Sequence, residues 1–219
     1  MLSQLGQVLV GVADSVMVGR VGTEPLAAAT LANSIFFVVL VFGIGVSYAI
    51  TPLVAAADGE GNQERCTSVF RNALLLNTTL GIVLFVTVAL ASFILPYLDQ
   101  PAEVVSLAIP YLNIITLSII PFMLFQTFRQ FAEGLSQTRQ AMFITIGANA
   151  INIGLNYLLI FGKWGFEPLG LNGAGYATLV SRILMALAMG LLIYHSPTFR
   201  AYRLGFQLRN FSNKILKRL

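Results

Sequence analysis

Four stretches of this 219-residue chain carry no charged side chain: residues 25–57, 72–98, 104–128 and 140–162. Each is longer than the roughly 20 residues a helix needs to cross about 30 Å of hydrocarbon. A water-soluble helix of that length shows a charged face, and these show none. Composition agrees, since 10% of the residues are charged and 57% are hydrophobic, whereas soluble domains run to about 25% charged. Two less uniform segments join the four: residues 1–19, interrupted by Asp14, and 168–194, interrupted by Arg182. Runs such as LANSIFFVVLVFGIGVSYAI lack the two-residue alternation of a barrel strand, so the backbone must satisfy itself within helices. The expectation is an all-α integral membrane protein. Residues 1–197 form a six-helix lobe with spans near 1–19, 27–52, 72–96, 105–128, 140–162 and 172–194, and 198–219 form a basic amphipathic helix.

Sidedness follows from Lys and Arg. With six crossings, Arg65, Arg71, Arg129, Arg139, Arg200, Arg203, Arg209, Lys214, Lys217 and Arg218 collect on one side, and Arg20 and Lys163 on the other. The positive-inside rule puts the richer side, and with it both termini, in the cytoplasm. A bacterial inner membrane is the expected location. Residues 1–18 lack the basic leader of a signal peptide and contain Gln4, Gln7 and Asp14, so they read as a first helix. That helix opens on MLSQLGQVLVG without a polar lead-in, as if residues upstream were missing.

In the tail, Leu204, Leu208, Phe211, Ile215 and Leu219 recur at intervals of 4, 3, 4 and 4, one apolar stripe for a helix lying flat in the membrane interface. Most of the net charge of +4 sits here, beside an anionic leaflet, so lipid rather than nucleic acid is the expected partner. A single cysteine, Cys66, permits no internal disulfide.

Polar residues inside the spans are the functional candidates. Placing Asp14 in mid-membrane costs about 2.5 to 3.5 kcal/mol on insertion scales, and such a residue marks a site by default. Asn149, Asn152 and Asn156, spaced by 3 and 4, share one face of the fifth span; Thr178 and Arg182 lie on the sixth, and Gln7 is a further cleft candidate on the first. Two readings stay open. The amides are interhelical glue at around 0.6 kcal/mol per bond, or with Asp14 they supply oxygen ligands to a hard cation such as Na⁺. Asp14 also has a structural candidate partner in Arg182. At 1.5 Å per residue the two lie about 8 and 15 Å from the outer ends of their helices, within reach of a long arginine. Pro52, Pro110 and Pro121 permit helix kinks.

Enzymatic readings find no support. GVAD superficially resembles the GxGD stretch of intramembrane aspartyl proteases, but Ala13 replaces the second glycine and no second aspartate lies within a span, so no carboxylate dyad can be assembled. There is no HExxH, and the one histidine, His195, stands at a helix end.

The stretches QLGQVLVGVADSVMVGRVGTEPLAAATLANSI, FRQFAEGLSQTRQAMF and NIGLNYLLIFGKWGFEPLGLNGAGYATLVSR resemble, in order and over essentially the whole chain, the multidrug and toxic compound extrusion (MATE) transporters, in particular their NorM-like branch. The resemblance implies a secondary antiporter that expels organic cations and drugs against H⁺ or Na⁺, built of two six-helix lobes around a central cleft, with no cofactor beyond the coupling ion. This chain corresponds to the first lobe, and the tail to a connector leading to a second lobe or a second copy. Carried over by position, Asp14 matches the acidic residue of helix one, Asn152 and Asn156 its partners on helix five, and Thr178 the hydroxyl of helix six, together a candidate Na⁺ or proton site. Some members have an aspartate where this chain has Asn156. A lipid-linked oligosaccharide flippase of the same superfamily, a non-transporting scaffold and a gene fragment are the alternatives.

Overall fold

The computed structural model describes residues 2–206, with side chains from residue 11 to residue 202. Within that range the chain forms eight α-helices: α1 (Leu2–Gly19), α2 (Thr23–Tyr48), α3 (Ile50–Gly59), α4 (Gln63–Ala91), α5 (Ala102–Leu117), α6 (Ile119–Gly134), α7 (Thr138–Phe161) and α8 (Gly170–His195). Two 3-10 helices, Leu95–Tyr97 and Pro197–Phe206, complete the elements, and no strand occurs among the described residues. Helices α2 and α3 make one rod of 37 residues, Thr23–Gly59, and α5 and α6 one of 33, Ala102–Gly134. These two rods, α4, α7 and α8 are each long and apolar enough to cross a membrane. With the 18-residue α1 they form the bundle of a multi-pass membrane protein.

The two long rods are interrupted for the same reason. Proline lacks the N–H that would reach the carbonyl four residues back. For Pro52 and Pro121 those carbonyls belong to Tyr48 and Leu117, the residues on which α2 and α5 end. The chain turns at Ala49 and at Ser118, then resumes as α3 and α6. The third proline expected to kink a helix, Pro110, leaves α5 continuous, held between α2 and α8.

Several helices overrun the spans read from charge. The overhang of α4, which begins at Gln63, carries Arg65 paired with Glu60. At the end of α6, Arg129 Nε donates to Glu133 Oε1 at 2.7 Å.

Packing divides into two apolar clusters. One gathers Phe36, Leu40, Leu84, Ile115, Phe122 and Met123 in the half away from the basic loops; the other gathers Ile50, Val54, Phe70, Phe125, Phe131 and Met189 in the basic half. Phe70 and Phe131 stack there with ring centroids 4.2 Å apart. Between the clusters runs a buried polar layer. Asn77 Nδ2 donates to Ser47 Oγ at 3.0 Å and to Thr127 Oγ1 at 2.8 Å, joining α2, α4 and α6 beside the Ala49 break. One turn further on, Thr51 Oγ1 bonds Gln130 Oε1 at 2.5 Å across α3 and α6. Helix α8 lies so close to α7 that a Cβ on Gly173 would stand 2.6 Å from the Leu159 carbonyl, which only glycine permits.

The tail is described as far as Phe206. Pro197–Phe206 is a 3-10 helix lodged against α4 and α8, fixed by Phe199, which is fully buried with its ring 6.3 Å from that of Phe131. The stripe from Leu208 to Leu219 lies outside the described residues, as do the side chains of Leu204 and Gln7.

Candidate functional site

Helices α1, α2, α5, α6, α7 and α8 border a cleft of about 370 Å³ lined by Asp14, Asn33, Phe36, Phe37, Tyr111, Phe122, Asn149, Asn152, Thr178, Ser181 and Arg182, among others. Its placement follows from helix pairing: α1 packs on α7, α7 on α8, and α8 on α5 and α6. The inward faces of α1, α7 and α8 therefore meet. Asn152 and Asn156, one turn apart, are both buried, at 3% and 0% exposure. Asp14 on α1 is half-buried beside them.

The polar groups are ordered by donation. Asn156 Nδ2 donates to Asp14 Oδ1 and also to Asn152 Oδ1, the latter at 3.1 Å. Those two bonds use both amide protons. The Asn156 carbonyl oxygen is left with no hydrogen-bond partner although the residue is fully buried. A carboxylate, an amide oxygen that already accepts and an amide oxygen that accepts nothing thus stand together. That is a donor-poor, oxygen-rich corner, suited to a proton on the carboxylate or to a hard monovalent cation. No group of three His, Cys, Asp or Glu side chains able to hold a metal occurs among the described residues, so neutral oxygens would have to complete any ion's shell.

Thr178 lines the same cleft from α8 and Asn149 from α7, the latter with an unbonded Nδ2. Pro52, Pro110 and Pro121 shape the rods and do not line it.

Arg182 does not pair with Asp14. Its Nη1 donates to Ser118 Oγ at 2.7 Å, and its Cζ lies 5.0 Å from the Phe36 ring centroid and 4.8 Å from that of Phe122. Among the described residues no ion pair joins it to a carboxylate. The depth difference of several Å is taken up by α5 and α6, whose break at Ser118 presents a hydroxyl nearer than Asp14. Sequence reasoning missed Phe36, Phe122 and Tyr111 as cleft residues, Ser118 as the partner of Arg182, and Asn33, which accepts from the Tyr111 hydroxyl at 3.3 Å. Nothing in local sequence marks a phenylalanine in an apolar span as facing a cleft.

The sequence profile of the MatE family matches residues 1–158. The chain belongs to the MatE family. Among curated relatives it is 32% identical over 205 residues to the multidrug resistance protein NorM of Photobacterium profundum, covering 94% of this chain and 44% of that protein. It is 35% identical over 203 residues to the probable multidrug resistance protein NorM of Rhizobium meliloti, covering 92% and 43%. The fold superposes on a crystal structure of MATE in complex with MaD3S with a TM-score of 0.87 at 23% identity, covering 99% of this chain and 48% of that one. This MatE chain therefore spans about half the length of the relatives it matches.

Proposed function

We propose that this chain forms the amino-terminal lobe of a secondary multidrug efflux transporter, which exchanges organic cations for H⁺ or Na⁺. The observation that carries the reading is the Asp14–Asn156 bond in the wall of a cleft lined by aromatic rings, in a chain whose relatives bear multidrug resistance names. Asp14 is the coupling residue, and Asn152, Asn156 and Thr178 supply neutral oxygens when the ion is Na⁺. The aromatic side chains receive the drug. Both termini lie in the cytoplasm, and a second lobe, a carboxyl-terminal half or a second copy, supplies the opposite wall. Residues 198–219 connect the two.

Differential binding drives the exchange. Ion and drug prefer different arrangements of the same helices, and each shifts the population by its difference in affinity for the two. The breaks at Ala49 and Ser118 are where such a rearrangement costs least, because the nearby proline already leaves one backbone hydrogen bond unmade.

The test is dye efflux from proteoliposomes carrying an imposed Na⁺ or pH gradient. Efflux that follows one gradient and disappears in Asp14→Asn is expected. Gradient-driven efflux retained by well-folded Asp14→Asn protein overturns the assignment, and efflux by a demonstrably monomeric 219-residue chain overturns the two-lobe part.

A further inference from the structure

Arg182 is the one basic side chain among the described residues that line the cleft, and among those residues no salt bridge joins it to a carboxylate. Its guanidinium lies between two aromatic faces, 5.0 Å from the Phe36 centroid on α2 and 4.8 Å from the Phe122 centroid on α6. One edge donates at 2.7 Å to the Ser118 hydroxyl. Both rings are themselves anchored, at 5% and 6% exposure, so the space between them has a fixed width. A planar, weakly hydrated cation fits such a gap better than an ammonium does, and aromatic faces are the neutral surface that attracts cations most strongly.

The same two faces are what an aromatic or quaternary organic cation would seek. An incoming cation meets a seat that is already taken by a charge of its own sign. We propose that Arg182 is a specificity-determining residue: it holds the Phe36–Phe122 seat against organic cations, so that a cationic ligand must displace the guanidinium. The proposal rests on the efflux reading and deepens it. Displacement has a second consequence, because the bond given up is the one to Ser118, the residue at which α5 breaks from α6. Entry of a cation thereby releases the tie between α8 and that break.

The experiment compares two probes of similar shape and different charge, tetraphenylphosphonium and neutral triphenylphosphine oxide, binding to the purified chain in lipid nanodiscs. Arg182→Gln is expected to tighten tetraphenylphosphonium by about tenfold, the scale of a desolvated cation–aromatic contact, while the neutral probe changes less than about twofold. Adding Phe122→Leu should remove that gain. Should Arg182→Gln prove unstable, Arg182→Met, which keeps an apolar stem between the rings, carries the same comparison. An unchanged or weakened tetraphenylphosphonium affinity in both variants overturns the proposal, as does an equal gain for the two probes, which would signify enlarged space and not a vacated seat. If neither wild type nor any variant binds either probe saturably, the seat proposal fails, whereas the efflux reading, which places the opposite wall of the cleft in a second lobe, stands or falls by the gradient-driven assay.

Discussion

Asn156 donates to the carboxylate of Asp14 across the α1–α7 interface, joining two residues 142 apart in the chain. The bond ties the one aspartate of the lobe's described interior to the amide whose own oxygen is unpartnered. Asp14→Asn keeps shape and removes a charge that is costly to bury. It should therefore leave thermal stability unchanged or raise it, while abolishing gradient-driven efflux. Because Arg182 is bonded to Ser118 and not to Asp14, adding Arg182→Gln should rescue nothing. A lowered melting temperature in Asp14→Asn, restored in the double variant, would mean that the two residues pair after all.

Asn156→Ala removes the amide that serves both Asp14 and Asn152. At around 0.6 kcal/mol for the interhelical bond to Asp14 and about 0.2 to 0.5 kcal/mol for the i, i+4 bond within α7, the stability loss should be about 1 kcal/mol, and ion dependence of efflux should weaken more than drug binding does. Equal loss of both would show that Asn156 holds the fold alone.

The polar layer gives a purely structural prediction. Asn77→Ala should lower stability by about 1 kcal/mol, since two interhelical bonds go. A double-mutant cycle with Thr127→Val should return a coupling of about 0.6 kcal/mol. Zero coupling would remove the Asn77–Thr127 bond from the account of how α4 and α6 stay in register.

Pro121→Ala restores the N–H that could bond the Leu117 carbonyl. Spin labels placed at the two ends of the Ala102–Gly134 rod should then move apart as it straightens, and efflux should slow with no loss of melting temperature. An unchanged label separation would show that neighbouring helices, and not the missing bond, hold the bend.

Sidedness needs introduced cysteines, because native Cys66 is completely buried and reports on neither side. Thr23→Cys, Gln100→Cys and Glu167→Cys, all at exposed positions, should react in intact cells with a membrane-impermeant thiol reagent. Asn62→Cys, exposed at the basic end, should react only after permeabilisation. The reverse pattern would invert the topology.

The membrane class, the number of long helices and the identity of the polar residues were legible in the chain because each is a one-dimensional property. Hydrocarbon forbids charge, so charge-free length reports a span, and one aspartate among small residues stands out against that background. Helix periodicity likewise put Asn149, Asn152 and Asn156 on one face without reference to any neighbour. Partnership was not legible. Charge made Arg182 one candidate partner for Asp14, yet the break at Ser118 set a hydroxyl and two phenyl rings around the guanidinium, and Asn156 came to the carboxylate instead. Charge selects candidates by attraction at a distance, whereas a side chain settles on whatever the packed helices bring within about 3 Å. Which phenylalanines face the cleft and which asparagine oxygen is left without a donor depended on α5, α7 and α8 being set side by side, a relation between segments that no single segment contains.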